Sequence, residues 1–98
     1  MLKLTITPLA KRDLIEIGDY IALDNPARAT SFISEIETVI TGLAAQPLLH
    51  PARDDLAPGL RAARHGRYLI FFLPQETELL VVRVLHGAHD LTKLLSEL

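Results

Sequence analysis

The sequence predicts an α+β domain in which an N-terminal strand and an antiparallel helical hairpin pack on a twisted antiparallel β-sheet, followed by a short C-terminal helix. Three observations carry this. Leu2, Leu4 and Ile6 alternate with Lys3, Thr5 and Thr7, the period of a half-buried strand. Two stretches of helical periodicity follow, each opened by a capping residue and a proline. Three β-rich segments then succeed one another across short turns. The chain of 98 residues, 49% hydrophobic, suits one domain, residues 1–98, with one core.

The elements are justified in order. Thr7-Pro8 reads as an N-cap and a first-turn proline, and Ala10, Leu14, Ile17 and Ile21 then make one apolar helical face. Gly18 interrupts this helix at a cost of about 1 kcal/mol against alanine. Asp24-Asn25-Pro26 repeats the start signal. A second helix then buries Ala29, Phe32, Ile33, Ile36, Ile40 and Leu43 and stops before Pro47. So short a link between helices predicts an antiparallel hairpin. Gln46–Gly59 holds Pro47, Pro51 and Pro58 without periodicity and reads as a long irregular connection. Leu60–His65, Arg67–Leu73 and Glu78–Leu85 are the predicted strands, turned at Gly66 and at Pro74-Gln75-Glu76-Thr77 into an antiparallel meander. Leu91, Leu94, Leu95 and Leu98 have the spacing of a short amphipathic helix.

Composition removes several functional classes. There is no cysteine, so neither a disulfide scaffold nor a thiolate metal site is available. The N-terminal residues are too few and too polar for a signal peptide, and no apolar run has membrane-spanning length; a cytoplasmic protein without membrane attachment is expected. A formal net charge of -2 argues against a general nucleic-acid coat. Positive charge is nonetheless local: Leu56–Gln75 contains Arg61, Arg64, Arg67 and His65 and no acid.

Those arginines, with Arg83, are the first candidates for function. Strand alternation sets Arg61 and His65 on one face and Arg64 on the other, and Arg83 on the face of Val81 and Leu85. A guanidinium among apolar neighbours is costly without a partner. It either recognises a carboxylate or phosphate through its planar fork, or pairs within the chain with Asp54, Asp55 or Glu78, or snorkels at the sheet edge. His86 and His89 flank Gly87-Ala88 after the last strand, where an imidazole can serve as acid or base or support a turn. With no cysteine and only Asp90 beside them, no metal site is expected, and no cofactor motif is present.

Five stretches, in order, resemble toxins of the RelE/ParE superfamily and look most like its ParE branch: Thr7–Ile17, Leu43–Pro47, Gly59-Leu60-Arg61, Gly66–Phe72 and Arg83–Asp90. The resemblance spans nearly the whole chain. It implies the toxin of a bacterial type II toxin–antitoxin module, a growth-arrest protein of the plasmid-stabilisation kind. It implies a hetero-oligomer with a ParD-like antitoxin whose ribbon-helix-helix end binds the operator, so that DNA is reached only through that partner. ParE toxins poison DNA gyrase, which would make Arg61, Arg64, Arg67, Arg83, His86 and His89 the target-binding residues. The expected antitoxin-binding residues are Leu14, Ile17, Ile21, Phe32, Ile36, Tyr68, Ile70 and Phe72. RelE toxins instead cut mRNA in the ribosome. In that alternative Arg61, Arg83 and His86 would form the catalytic set, but the lysines such nucleases use are absent from the central strands, Lys3, Lys11 and Lys93 lying elsewhere. A homologue that only binds its antitoxin is the third possibility. Many relatives carry a bulky residue where this chain has Gly18, and arginine where it has His89.

Overall fold

A computed structural model describes residues 2–96. The elements are β1 (Lys3–Ile6), α1 (Pro8–Ala22), α2 (Pro26–Leu43), β2 (Arg61–His65), β3 (Tyr68–Pro74), β4 (Glu78–His86) and α3 (Leu91–Leu95). Leu98, expected to extend the last apolar stripe, lies outside the described residues.

Both helix starts follow from the predicted caps. Thr7 Oγ1 accepts from the Ala10 N–H and Asn25 Oδ1 from the Arg28 N–H, each ahead of a first-turn proline. Thr7 also donates its own N–H to Val81 O at 3.0 Å, so α1 begins pinned to β4. α2 ends at Leu43, three residues short of Pro47 and its restricted neighbour.

The sheet runs β1-β4-β3-β2. β2, β3 and β4 form the expected antiparallel meander, with Gly66 at φ 59° supplying the left-handed residue of the tight turn. β1 pairs in parallel with β4, from Lys3–Glu78 to Ile6–Val81, so the sheet is mixed. The physical reason is that α1 and α2 return the chain to the far edge before the meander starts. The register of β3 on β4 shifts between Phe71 and Phe72, which face Arg83 and Val81 and leave Val82 as the extra residue of a bulge. The bulge corrects the expectation that Val81, Arg83 and Leu85 share a face: Val81 and Val84 pack with the hairpin, Val82 and Leu85 on the opposite side.

Both sheet faces are buried. The hairpin covers one with Ile17, Phe32, Ile36, Ile40 and Leu43 against Ala63, Ile70, Phe72, Leu79 and Val81. The other carries Leu60, Ala62, Leu69, Phe71, Val82 and Leu85, covered by Leu56 and Ala57 of the long connection and by Leu91, Leu94 and Leu95 of α3. The irregular 44–60 segment is therefore anchored on the sheet at Leu56, Ala57 and Leu60. Its Asp54 accepts from the Gly59 N–H at 2.8 Å, and Gly59, at φ 78°, turns the chain into β2.

One polar group sits inside this packing. β1 ends at Ile6, which leaves β4 without a strand neighbour on that side beyond Val81. Asp13 of α1 fills the vacancy: its Oδ2 accepts from the Val84 N–H at 2.9 Å. Arg83 then grips the same carboxylate with both arms of its fork, Nε to Oδ2 at 2.8 Å and Nη2 to Oδ1 at 2.9 Å, while Nη1 donates to Leu94 O at 3.2 Å. Asp13 is 6% exposed and Arg83 7%. Breaking a buried pair from one side strands a charge, at about 3–5 kcal/mol. Asp13→Asn is therefore expected to lower the unfolding free energy by about that amount in a urea titration. Replacing Asp13 and Arg83 together by leucine and methionine is expected to cost much less than the two single changes summed, because no unpaired charge remains.

Gly18 offers an opposite case. A Cβ built there meets Ile33 Cγ1 at 3.5 Å, an ordinary contact. Gly18→Ala should stabilise the protein by about 0.5–1 kcal/mol through helix propensity, visible as a thermal midpoint a few degrees higher.

Candidate functional site

The arginines predicted to meet a target divide into two kinds. Arg83 is committed to Asp13, and its replacement by alanine would orphan that carboxylate. Arg61 is half-buried and donates through Nη1 to His50 O at 2.6 Å and to Leu48 O at 3.5 Å, clamping the long connection onto β2. Arg64 and Arg67 are exposed. The internal carboxylates weighed as partners are engaged elsewhere: Asp55 with Arg53, Asp54 with the Gly59 amide, and Glu78 with the Thr5 hydroxyl.

The histidines lie along a row of rings. His65 sits 5.3 Å from Phe32, Phe32 5.5 Å from Tyr68, Tyr68 5.2 Å from His86, and His86 5.7 Å from His89, between ring centroids. Adjacent strand positions produce this row, because His65 pairs with Tyr68 and Tyr68 with His86. His86 Nδ1 accepts from the Ala88 N–H at 3.0 Å, which fixes the turn after β4 and leaves Nε2 as the protonated nitrogen of the neutral ring. Burial pushes the Tyr68 phenol up, with a smaller contribution from Tyr20, so it remains a neutral hydroxyl.

His65 Nε2 lies 2.7 Å from Glu35 Oε1, and Arg28 Nη1 donates to Glu35 Oε2 at 2.6 Å. The Arg28 guanidinium, and after it the His65 ring, hold the Glu35 carboxyl below the usual carboxylate range. Arg28 also stacks over the Phe32 ring at 5.0 Å. The cluster ties α2 to the β2–β3 turn.

The residues expected to receive an antitoxin form the interior of the fold. Ile36, Ile70 and Phe72 are 0% exposed, Ile17 and Phe32 are buried, and Leu14, Ile21 and Tyr68 are half-buried against them. Apolar periodicity finds the side chains that join hairpin to sheet, and that junction is satisfied within the chain. Among the described residues the large apolar side chains at the surface are Ile15, Tyr20 and Leu23 on the outside of α1 and its turn, and Leu48 and Leu49 in the long connection.

Asp13, Arg28 and Glu35 escaped the sequence reading. Asp13 could have been found: it lies three residues after Ala10 and four before Ile17, within the apolar face itself. Arg28 and Glu35 are spaced like any solvated helical pair and carry no such mark.

Among the described residues no helix is long and apolar enough to cross a membrane, and no group of three or more His, Asp or Glu side chains is disposed to hold a metal ion. No individually curated protein matches the chain in sequence. A solved structure titled "Chromosomal ParDE TA system from P. aeruginosa" has the same fold, with a TM-score of 0.77 at 21% identity over 88% of this chain and 96% of that one. The model of the family described as the ParE toxin of the type II toxin–antitoxin system, parDE, matches residues 4–91, from β1 through the sheet to the first residue of α3. That span takes in both helices, the whole meander and the histidine turn, and the chain therefore belongs to the ParE toxin family of type II toxin–antitoxin systems.

Proposed function

We propose that this toxin arrests growth by binding DNA gyrase, and that a ParD-like antitoxin of the ribbon-helix-helix type neutralises it and alone contacts the operator. The family match over residues 4–91 is the observation that carries this reading. The disposition of the charged groups supports a binding protein over a nuclease. RNA cleavage needs a base, an acid and cations gathered about one phosphate. Arg83 is neutralised by Asp13, Arg61 is engaged with loop carbonyls, and His86 holds a backbone amide. Arg64, Arg67 and His89 remain exposed, as a contact surface requires. For the antitoxin, the exposed Ile15, Tyr20 and Leu23 offer apolar contacts on the outside of α1 and its turn. A segment that folds on binding buries about 1,000–3,000 Å².

The test pairs two assays on the purified chain. Gyrase supercoiling should be inhibited, and primer extension on translated mRNA should show no added cleavage. Ribosome-dependent cuts with unaffected gyrase would replace this reading with the RelE-type one. Inactivity in both assays, with retained antitoxin binding, would leave a homologue that only binds its partner.

His86→Asn sharpens the distinction. The Oδ1 of asparagine stands two bonds from Cβ, as Nδ1 does, and can accept the Ala88 N–H in its place. A gyrase poison should therefore keep its growth arrest in this variant, scored by colony count after controlled induction. A nuclease using His86 as base would lose about 10²–10⁴-fold in cleavage rate.

A further inference from the structure

The exposed Arg64 and Arg67 flank one turn. They stand on either side of Gly66, at the end of the outer strand β2. The bridge on the free side of β2, Ala52 to Arg61, lies at its other end. Next to the turn on the hairpin side is α2. A Cβ on Gly66 would stand 3.5 Å from the Phe32 ring, and the His65 ring lies tilted on that ring at 5.3 Å between centroids. This packing is apolar and therefore non-directional.

Beside it stands a contact with direction. Arg28, Phe32 and Glu35 follow at steps of four and three along one face of α2. Arg28 Nη1 donates to Glu35 Oε2 at 2.6 Å, while its guanidinium covers the Phe32 ring at 5.0 Å. Glu35 Oε1 is 2.7 Å from His65 Nε2. The carboxylate is thus held from within its own helix and turned to the strand. Glu35 and His65 are half-buried and Arg28 is exposed, and pairs at a surface add little to global stability. The effect of such a contact is local: it fixes the direction of the groups it joins.

We propose that His65 is a positioning residue: through Glu35 it fixes the β2–β3 turn on α2, and so sets the direction in which Arg64 and Arg67 are presented. Neutral with its proton on Nε2, or protonated on both nitrogens, the ring donates to the carboxylate, so the contact persists in either state. Without it the turn would rest on Phe32 alone, and the two guanidiniums would sample a wider range of directions. The inference deepens the gyrase reading by naming what orients two of its exposed cations, and it rests on that reading only in its second measurement.

The first measurement is native-state amide hydrogen exchange in the isotopically labelled full chain, read as protection factors over Arg64–Tyr68. His65→Leu keeps an apolar side chain on Phe32 and loses the donor, and should lower protection there about threefold; Glu35→Ala should do the same. The two changes together should lower it no further, because they break one contact. His65→Gln should restore the parent value, since its amide nitrogen stands as many bonds from Cβ as Nε2 does and donates in its place. Arg12→Gln, which removes the exposed Arg12–Glu16 pair of α1, should leave the turn unchanged. The second measurement is gyrase supercoiling, where His65→Leu should need about threefold more toxin for equal inhibition and His65→Gln no more than the parent. Unchanged protection in His65→Leu, a loss spread evenly over the sheet, or a His65→Gln protein no better than His65→Leu would overturn the proposal. So would undiminished inhibition by a His65→Leu protein whose turn is loosened. If the parent itself leaves gyrase uninhibited, the gyrase reading falls, and the exchange data decide whether His65 holds the turn.

Discussion

Arg83 is the meeting point of the fold. It lies in the central strand pair, reaches the α1 carboxylate of Asp13 on one side, and holds the carbonyl of Leu94 in α3 on the other. Asp13 in turn accepts the amide that the short β1 leaves unpaired on β4. Three elements are thus registered on one another through five polar atoms of two side chains. Hydrophobic burial supplies the larger share of stability, but it is non-directional. The fork and carboxylate fix which turn of α1 lies against which residue of β4. A chain of this size buries a smaller fraction of its surface than a larger domain does, so the loss of such a directional contact is felt throughout.

The same pair explains how an arginine in a strand misleads. Arg61 and Arg83 are the two cations in strand positions that most invite a functional reading, and both turn out to hold the chain together. Arg64 and Arg67, flanking the turn at Gly66, are the ones left at the surface. Burial of a guanidinium demands a partner, and the chain supplies one to each, the Asp13 carboxylate to Arg83 and loop carbonyls to Arg61. Exposure separates the two kinds where residue type and strand position do not.

Local signals made much of the architecture legible. Thr7-Pro8 and Asn25-Pro26 mark both helix starts because capping is a contact between near neighbours, and Gly66 marks the hairpin because its positive φ is a local demand. The three strands of the meander are bounded within a residue or so by their periodicity. What was not legible is long-range. The parallel pairing of β1, the bulge at Val82, and the packing of Leu56 and Ala57 under the second sheet face depend on residues far away in sequence. The candidate surface suffered for the same reason. Phe32, Ile36, Ile70 and Phe72, expected to receive an antitoxin, lie together in one buried cluster, because spacing alone does not tell a face that is closed by the chain from one that awaits a partner.

The pairing of the first strand with the last has a consequence in time. β1 finds its hydrogen-bond partners, and Asp13 its arginine, only across a separation of some 70 residues. Loop closure over that distance is entropically costly and comes late in folding. During synthesis the hairpin can form early from its own caps, yet its apolar face has no sheet to cover until β4 has left the ribosome. A growing chain of this kind carries Phe32, Ile36 and Ile40 without their sheet partners until β4 has been made, and through that stage its hairpin presents a sticky apolar face.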